Sequence, residues 1–324
     1  MGIFTRKNRL PRTDGLVLDR TWSDRDLDAA VAAVEVGDFD TALAGFKAQT
    51  GDRRAVWNGG LAEAAIGRSE QLEARLEELG GRDPELLLWL AQTLVLEGWR
   101  IRSGQQAKYV SEQQFATFHD ILRTAYEVVG LAIETAPDDA TPWTVYQWVA
   151  IGLGADLETH EALFQEAIAR HPASYAAHGN KVHAIAPKWY GTSLDEMLAF
   201  AAETADRAAP GSVLGAVLAK AVAEARLHVF SFTDANAVKK VAAATKLTSK
   251  WADPLLASRQ KWLQPGRSPE APDLDAHNYY AYLLKNVHSD EGQASADAMF
   301  NRVSTLPWAY SGDPLEAFAE KYRR

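Results

Sequence analysis

Apolar residues recur along this chain at steps of three and four, the period that gathers them on one face of a helix. The pattern predicts helices over residues 24–36, 39–49, 53–66, 69–80, 84–100, 111–135, 141–153, 157–170, 174–185, 193–208, 212–230, 234–249, 252–263, 274–287, 290–304 and 313–322. Ser23 and Ser193 stand where a capping hydroxyl belongs. Ser193 with Glu196 predicts a reciprocal capping box. Pro142, Pro254 and Pro314 fall near first-turn positions, where a missing N–H costs nothing. No Asn-Gly or Asp-Gly turn joins alternating apolar runs, so no hairpin is predicted. Two stretches break the rhythm. Arg100–Val110 is polar and contains a glycine. Gln264–Asp273 carries three prolines and reads as a hinge or a loop laid across the helices.

The helices repeat. Pro84, Pro137, Pro172 and Pro210 each follow a helical segment with small or apolar residues 12, 8 and 5 positions earlier. These are Leu72, Leu76 and Leu79; Ala125, Val129 and Ala132; His160, Phe164 and Ala167; and Leu198, Ala202 and Ala205. Such offsets share one helical face and let paired helices approach closely. The last three prolines are spaced by 35 and 38 residues, near the 34 of the tetratricopeptide unit. Gly37 to Phe46 echoes the same unit, with Ala42 and Phe46 at its small and aromatic positions. The predicted fold is all-α, a tetratricopeptide-like solenoid of helix–turn–helix pairs wound as a right-handed superhelix. The predicted organisation is a flexible basic extension over residues 1–22 and one helical-repeat domain over residues 23–324.

Several stretches carry a more specific resemblance. Trp99-Arg100-Ile101-Arg102-Ser103-Gly104 leads into Tyr109-Val110-Ser111-Glu112-Gln113-Gln114-Phe115. Ala177-His178, Pro187-Lys188-Trp189-Tyr190-Gly191-Thr192-Ser193 and Glu196-Met197-Leu198-Ala199-Phe200-Ala201 follow. The chain closes on Leu306-Pro307-Trp308-Ala309-Tyr310 and Gly312-Asp313-Pro314-Leu315-Glu316-Ala317-Phe318. Over residues 85–324 this resembles a family of actinobacterial tetratricopeptide-like proteins of unknown function, related to the DUF4034 group. The Pro-Lys-Trp segment is the most specific part. The family commonly has two glycines after that tryptophan, and Tyr190 replaces the first here. The resemblance implies a fold and carries no activity with it.

Composition narrows the function classes. The 34 Lys and Arg against 43 Asp and Glu leave a net charge of −9, which argues against a broad phosphate-binding surface and a nucleic-acid partner. With no cysteine, thiolate metal sites, iron–sulfur clusters and thiol nucleophiles are excluded. The basic start (Arg6, Lys7, Arg9, Arg12) has no apolar run after it, unlike a signal peptide. The apolar-rich run Leu86–Leu96 is 11 residues, short of the about 20 a membrane span needs. A cytoplasmic protein without membrane insertion is expected.

No motif announces chemistry. Phosphate loops and nucleophile elbows are absent from the sequence. His178 and His183 are five apart, so on a helix they point in different directions and share no ion. Asp273, Asp275 and His277 read as first-turn residues, as do Asp24, Asp26 and Asp28. No catalytic residue, metal or cofactor is predicted. Binding residues are predicted instead. Arg100, Arg102 and Lys108 suit an anion clamp or a solvated loop tethered by salt bridges. Lys188, Trp189 and Tyr190 lie between helices, outside any apolar stripe, as a ligand-facing group or a structural plug. His178 and Lys181 share a helical face beside Asn180. Asn278, Tyr282 and Lys285 form a polar–aromatic stripe. Two functions are expected from these residues. The first is a non-catalytic scaffold whose concave face binds a peptide or protein. The second is a sensor of a small anion held between the 100–110 and 187–193 loops.

Overall fold

The protein is described by a computed structural model over residues 12–103 and 109–323. Lys108 lies outside the described residues. The fold is all-α. Its helices run in order α1 (Arg25–Glu35), α2 (Phe39–Lys47), α3 (Gly51–Ala64), α4 (Ser69–Glu78), α5 (Pro84–Arg102), α6 (Glu112–Thr135), α7 (Thr141–Leu153) and α8 (Leu157–Arg170). They continue through α9 (Tyr175–Ala184), α10 (Leu194–Arg207), α11 (Val217–Ser231), α12 (Ala237–Lys250), α13 (Ala252–Trp262), α14 (Asp273–Leu284), α15 (Ser289–Ala298) and α16 (Pro314–Tyr322). No helix among the described residues is long and apolar enough to cross a membrane.

Local chemistry sets the helix starts. Asp24, Asp38, Asp83, Asp156, Ser174, Ser193, Asn236 and Asp313 each accept a first-turn amide, satisfying donors the helix leaves open. Two capping expectations change. Asp24, not Ser23, caps α1. Ser193 Oγ accepts from the Glu196 amide at 3.1 Å, but the Glu196 carboxylate accepts from the Thr192 hydroxyl instead of closing the box. The reciprocal box forms at Ser111 and Gln114.

The repeated offsets are packing positions. All twelve residues are buried except half-buried Ala202 and Leu79, which is 41% exposed. Neighbouring helices pair, and α1, α3, α5, α7, α9 and α11 each pack on the next of that series. Beside a small cluster of Phe164, Ala167 and Ala177, two larger hydrophobic cores result. One spans α1 to α7, around Trp57 and Trp89; the other spans α9 to α16, around Trp262 and Trp308. Trp22 packs against both.

A short parallel pairing joins the two ends of the array. β1 (Val17–Leu18) lies beside β2 (Arg302–Val303). Arg302 reaches Asp19 and Asp28, each at 3.0 Å. Leu16 enters the second core. The expected extension over residues 1–22 is therefore packed structure from Leu16 onward. The helix expected over 290–304 stops at Ala298, where Phe300 and Asn301 adopt positive φ (48° and 67°) and turn the chain into β2. The proline-rich stretch after α13 is pinned. Arg267 grips Asp273 with two bonds of 2.7 Å and donates to the Gly211 carbonyl at 3.0 Å.

Candidate functional site

The last turn of α5 carries Trp99 and Arg102. Two glycines bring its neighbours close. A Cβ on Gly152 of α7 would lie 2.2 Å from Leu122 and 2.8 Å from Phe118, both on α6. Gly98 of α5 faces Phe118 at 3.4 Å. These contacts fix the spacing of α5, α6 and α7 around the Trp99 ring.

The segment after α9 folds back over that ring. Its anchor is Gly191, where a Cβ would sit 1.6 Å from the Ile185 carbonyl oxygen. Only glycine fits so close to backbone. Tyr190 donates to the Ile151 carbonyl at 2.9 Å and stacks on His160, ring centroids 5.5 Å apart. His160, at a small-residue repeat position, lies under that tyrosine. Gly191→Ala is expected to displace residues 187–193 and to cost the upper end of the about 1–3 kcal/mol typical of overpacking. Urea denaturation checks this, and an unchanged midpoint would contradict it.

Trp189 meets Trp99 edge to face at 5.3 Å, and Trp99 meets Trp148 the same way at 5.8 Å. Arg102 is buried beside them, its guanidinium carbon 5.5 Å from the Trp99 ring centroid and 5.2 Å from that of Trp189. Burial draws its pKa down. The Lys188 ammonium lies 5.9 Å from the Trp189 ring. Together these groups line a cavity of about 960 Å³, with Phe115 and Phe118 of α6 and Tyr310 on other walls. The Trp99 and Trp189 indole N–H groups are buried without a hydrogen-bond partner among the described residues.

A buried carboxylate underlies the cavity. Glu224 of α11, 2% exposed, lies 2.6 Å from Lys188 Nζ and 3.4 Å from His183 Nδ1, and accepts from the Tyr310 hydroxyl. Burial pushes its pKa up, but His183, Lys188 and Tyr310 outweigh that and hold it below the usual value. Burial drives His183 down to about 4, opposed by Glu224 and assisted by Lys188 and Lys220. At neutral pH the ion pair is therefore Glu224 with Lys188, beside a neutral imidazole.

The other candidates lie elsewhere. Arg100 is exposed and does not line the cavity. His178 is buried, its Nδ1 2.8 Å from the Ser174 carbonyl, with its ring against Phe164 and Phe200. Lys181 is buried over Phe164 and pairs with Glu161 at 2.6 Å. Asn278 and Tyr282 form no surface stripe. Asn278 is fully buried and accepts from the Ser304 amide and the Trp308 indole at 3.1 and 2.7 Å. Tyr282 is buried against Trp308, its hydroxyl 3.1 Å from Ser311 Oγ. No group of side chains among the described residues is arranged to hold a metal ion.

Sequence reading gave no site role to Glu224, Trp148, Trp99 or Tyr310, the last two entering only through the stretches that carry the resemblance. Glu224 carried a signal: it is the one acid in the alanine- and valine-rich run from Val213 to Ala225. The chain matches no protein-family model, no curated protein and no solved structure, which leaves the chemistry of this cavity as the guide to function.

Proposed function

We propose that the protein binds a small organic anion with a flat apolar body in the cavity of Arg102, Lys188 and Trp189, and does no chemistry on it. One observation carries this reading: two cations and three indoles, from three separated stretches of sequence, converge on a single void. Its volume falls near the top of the range of about 300–1,000 Å³ that small-molecule sites occupy. The rings suit a planar body. The Arg102 guanidinium, whose Nη1 also donates to the Ser103 carbonyl at 3.0 Å, adds a partly desolvated positive charge that attracts a carboxylate or phosphate. Lys188, paired with Glu224 at 2.6 Å, carries three N–H donors.

We read the surrounding helices as tetratricopeptide-like pairs in a right-handed superhelix. The packing of α1, α3, α5, α7, α9 and α11 in series supports that reading. The peptide-scaffold function is less favoured, because His178, Lys181, Asn278 and Tyr282 are buried with partners of their own.

A thermal-shift screen with aromatic carboxylates and aryl phosphates tests the proposal. A binder at 100 times its dissociation constant is expected to add about 2.7 kcal/mol to stability. The shift should vanish in Trp189→Ala, measured against that variant's own baseline. A flat screen, or a shift that survives Trp189→Ala, would contradict it.

A further inference from the structure

Helix α12 carries only positive charge, in a chain whose net charge is −9. No Asp or Glu falls between Asp234 and Asp253, while Lys239, Lys240, Lys246 and Lys250 all lie on this helix. Asp234 stands before its start. Asp253, after its end, lies 3.6 Å from His288. None of the four lysines makes an ion pair with a described carboxylate.

The packing of α12 decides which of these charges face outward. Ala244 and Thr248 are buried, and Arg226 of α11 holds that side of the helix, donating to the Ala244 carbonyl at 3.1 Å and to Thr248 Oγ at 2.6 Å. Lys240 donates to the Phe230 carbonyl at 2.7 Å. Lys239, Lys246 and Lys250 are exposed, Lys250 also lying 5.9 Å from the Trp251 ring. At about 100° per residue these three fall within about 40° of one another, on the side away from Ala244 and Thr248. They form one row about 16 Å long.

Apolar side chains stand beside that row. Val238 is 79% exposed and Val241 55%, and Phe230 is exposed at the end of α11. Single exposed apolar residues are ordinary, but several beside a row of unpaired cations mark a contact surface. Charge complementarity makes the occupant negative. Ten of the 14 residues of α12 are exposed, so the face is an open flank rather than a groove that would seat a peptide. Lysine is a compact point charge without the fork that grips one carboxylate, and a row of them suits a plane of many anions. Valine and phenylalanine among lysines are side chains that enter the boundary between lipid headgroups and acyl chains. A nucleic acid backbone would leave them in water.

We propose that α12 docks the protein on an anionic lipid surface, with Lys239, Lys246 and Lys250 meeting headgroup phosphates and Val238, Val241 and Phe230 reaching the acyl boundary. The contact is peripheral and needs no helix that crosses the membrane. It stands whether or not an anion binds in the Arg102 cavity.

Co-sedimentation of the full chain with vesicles tests this, using phosphatidylcholine alone and an equal mixture with phosphatidylglycerol. Binding is expected to the mixed vesicles only, and to be lost at about 1 M salt, where screening leaves a reach of about 3 Å. The triple variant Lys239→Gln, Lys246→Gln, Lys250→Gln changes exposed residues and should keep its urea midpoint, while binding at least about tenfold more weakly. Val238→Ser with Val241→Ser, lysines intact, should weaken binding about threefold or more. No binding to the mixed vesicles overturns the proposal, as does a smaller loss in either folded variant. Retention on immobilised poly-glutamate without vesicle binding overturns it in favour of an acidic protein partner.

Discussion

Lys188→Met is expected to lower the unfolding free energy by about 3–5 kcal/mol, the cost of leaving a buried charge without its partner. The partner is Glu224, whose side chain is 1% exposed and whose nearest cation is Lys188 Nζ at 2.6 Å. Burial, the first cause of the lowered His183 pKa, persists in the variant and opposes a charged imidazole there, although the lowering by Lys188 is removed with the lysine. Tyr310 still donates one hydrogen bond, which is too little to replace a full charge. The double variant Lys188→Met, Glu224→Gln should regain most of the loss, since removing both charges also removes the desolvation penalty. Urea denaturation at pH 7 measures both. A single variant within about 0.5 kcal/mol of the unaltered protein, the range of ordinary surface changes, would contradict the assigned pairing. The pair also has a pH window. The Glu224 pKa is lower in the fold than the usual carboxylate value, so its contribution is complete above that value and is lost as pH falls through the folded one.

Acid should weaken the protein before its carboxylates titrate. His183 and His277 are both held at about 4, burial being the first cause for each. The unfolded chain binds these protons near pH 6.5 while the folded chain refuses them, so stability falls as pH drops from about 6.5 toward 4. The loss is up to about 3 kcal/mol for His183, at 1.36 kcal/mol per pH unit, and less for half-buried His277, where solvent screens the charge. His160, His178 and His228 are lowered by burial and act in the same direction. His171, raised chiefly by Asp52 at 3.5 Å, opposes them: its contribution is present at acid pH and fades as pH rises. Denaturation at pH 7, 6, 5 and 4 should show the decline, and His183→Gln should flatten it. Stability independent of pH between 6.5 and 5 would be incompatible with this burial.

Helical periodicity located the elements well because each helix announces its own ends. Long-range partners leave no such mark. The helix expected over 290–304 ends early because Arg302 and Val303 pair with Val17 and Leu18, far away in sequence. The same pairing draws in Leu16–Trp22, which local polarity presents as an extension. Asn278 and Tyr282 resemble a recognition stripe only because helical spacing does not say which side is buried. Their hydrogen bonds go to Ser304, Trp308 and Ser311, contributed by the chain beyond α15. Arg102, Lys188, Trp189 and Tyr190 were legible as polar or aromatic residues outside an apolar face. That they share one cavity depends on Gly152 and Gly191, where missing side chains admit close approach.

An anion in the Arg102 cavity is what the proposed function requires. Its most direct test is calorimetric titration of the strongest anion from the thermal screen into the unaltered protein and into a folded Arg102→Gln variant. One molecule per chain should bind the first, and the variant should bind at least tenfold more weakly, a difference of about 1.4 kcal/mol. Equal affinity in the two proteins would place the anion elsewhere and contradict the account.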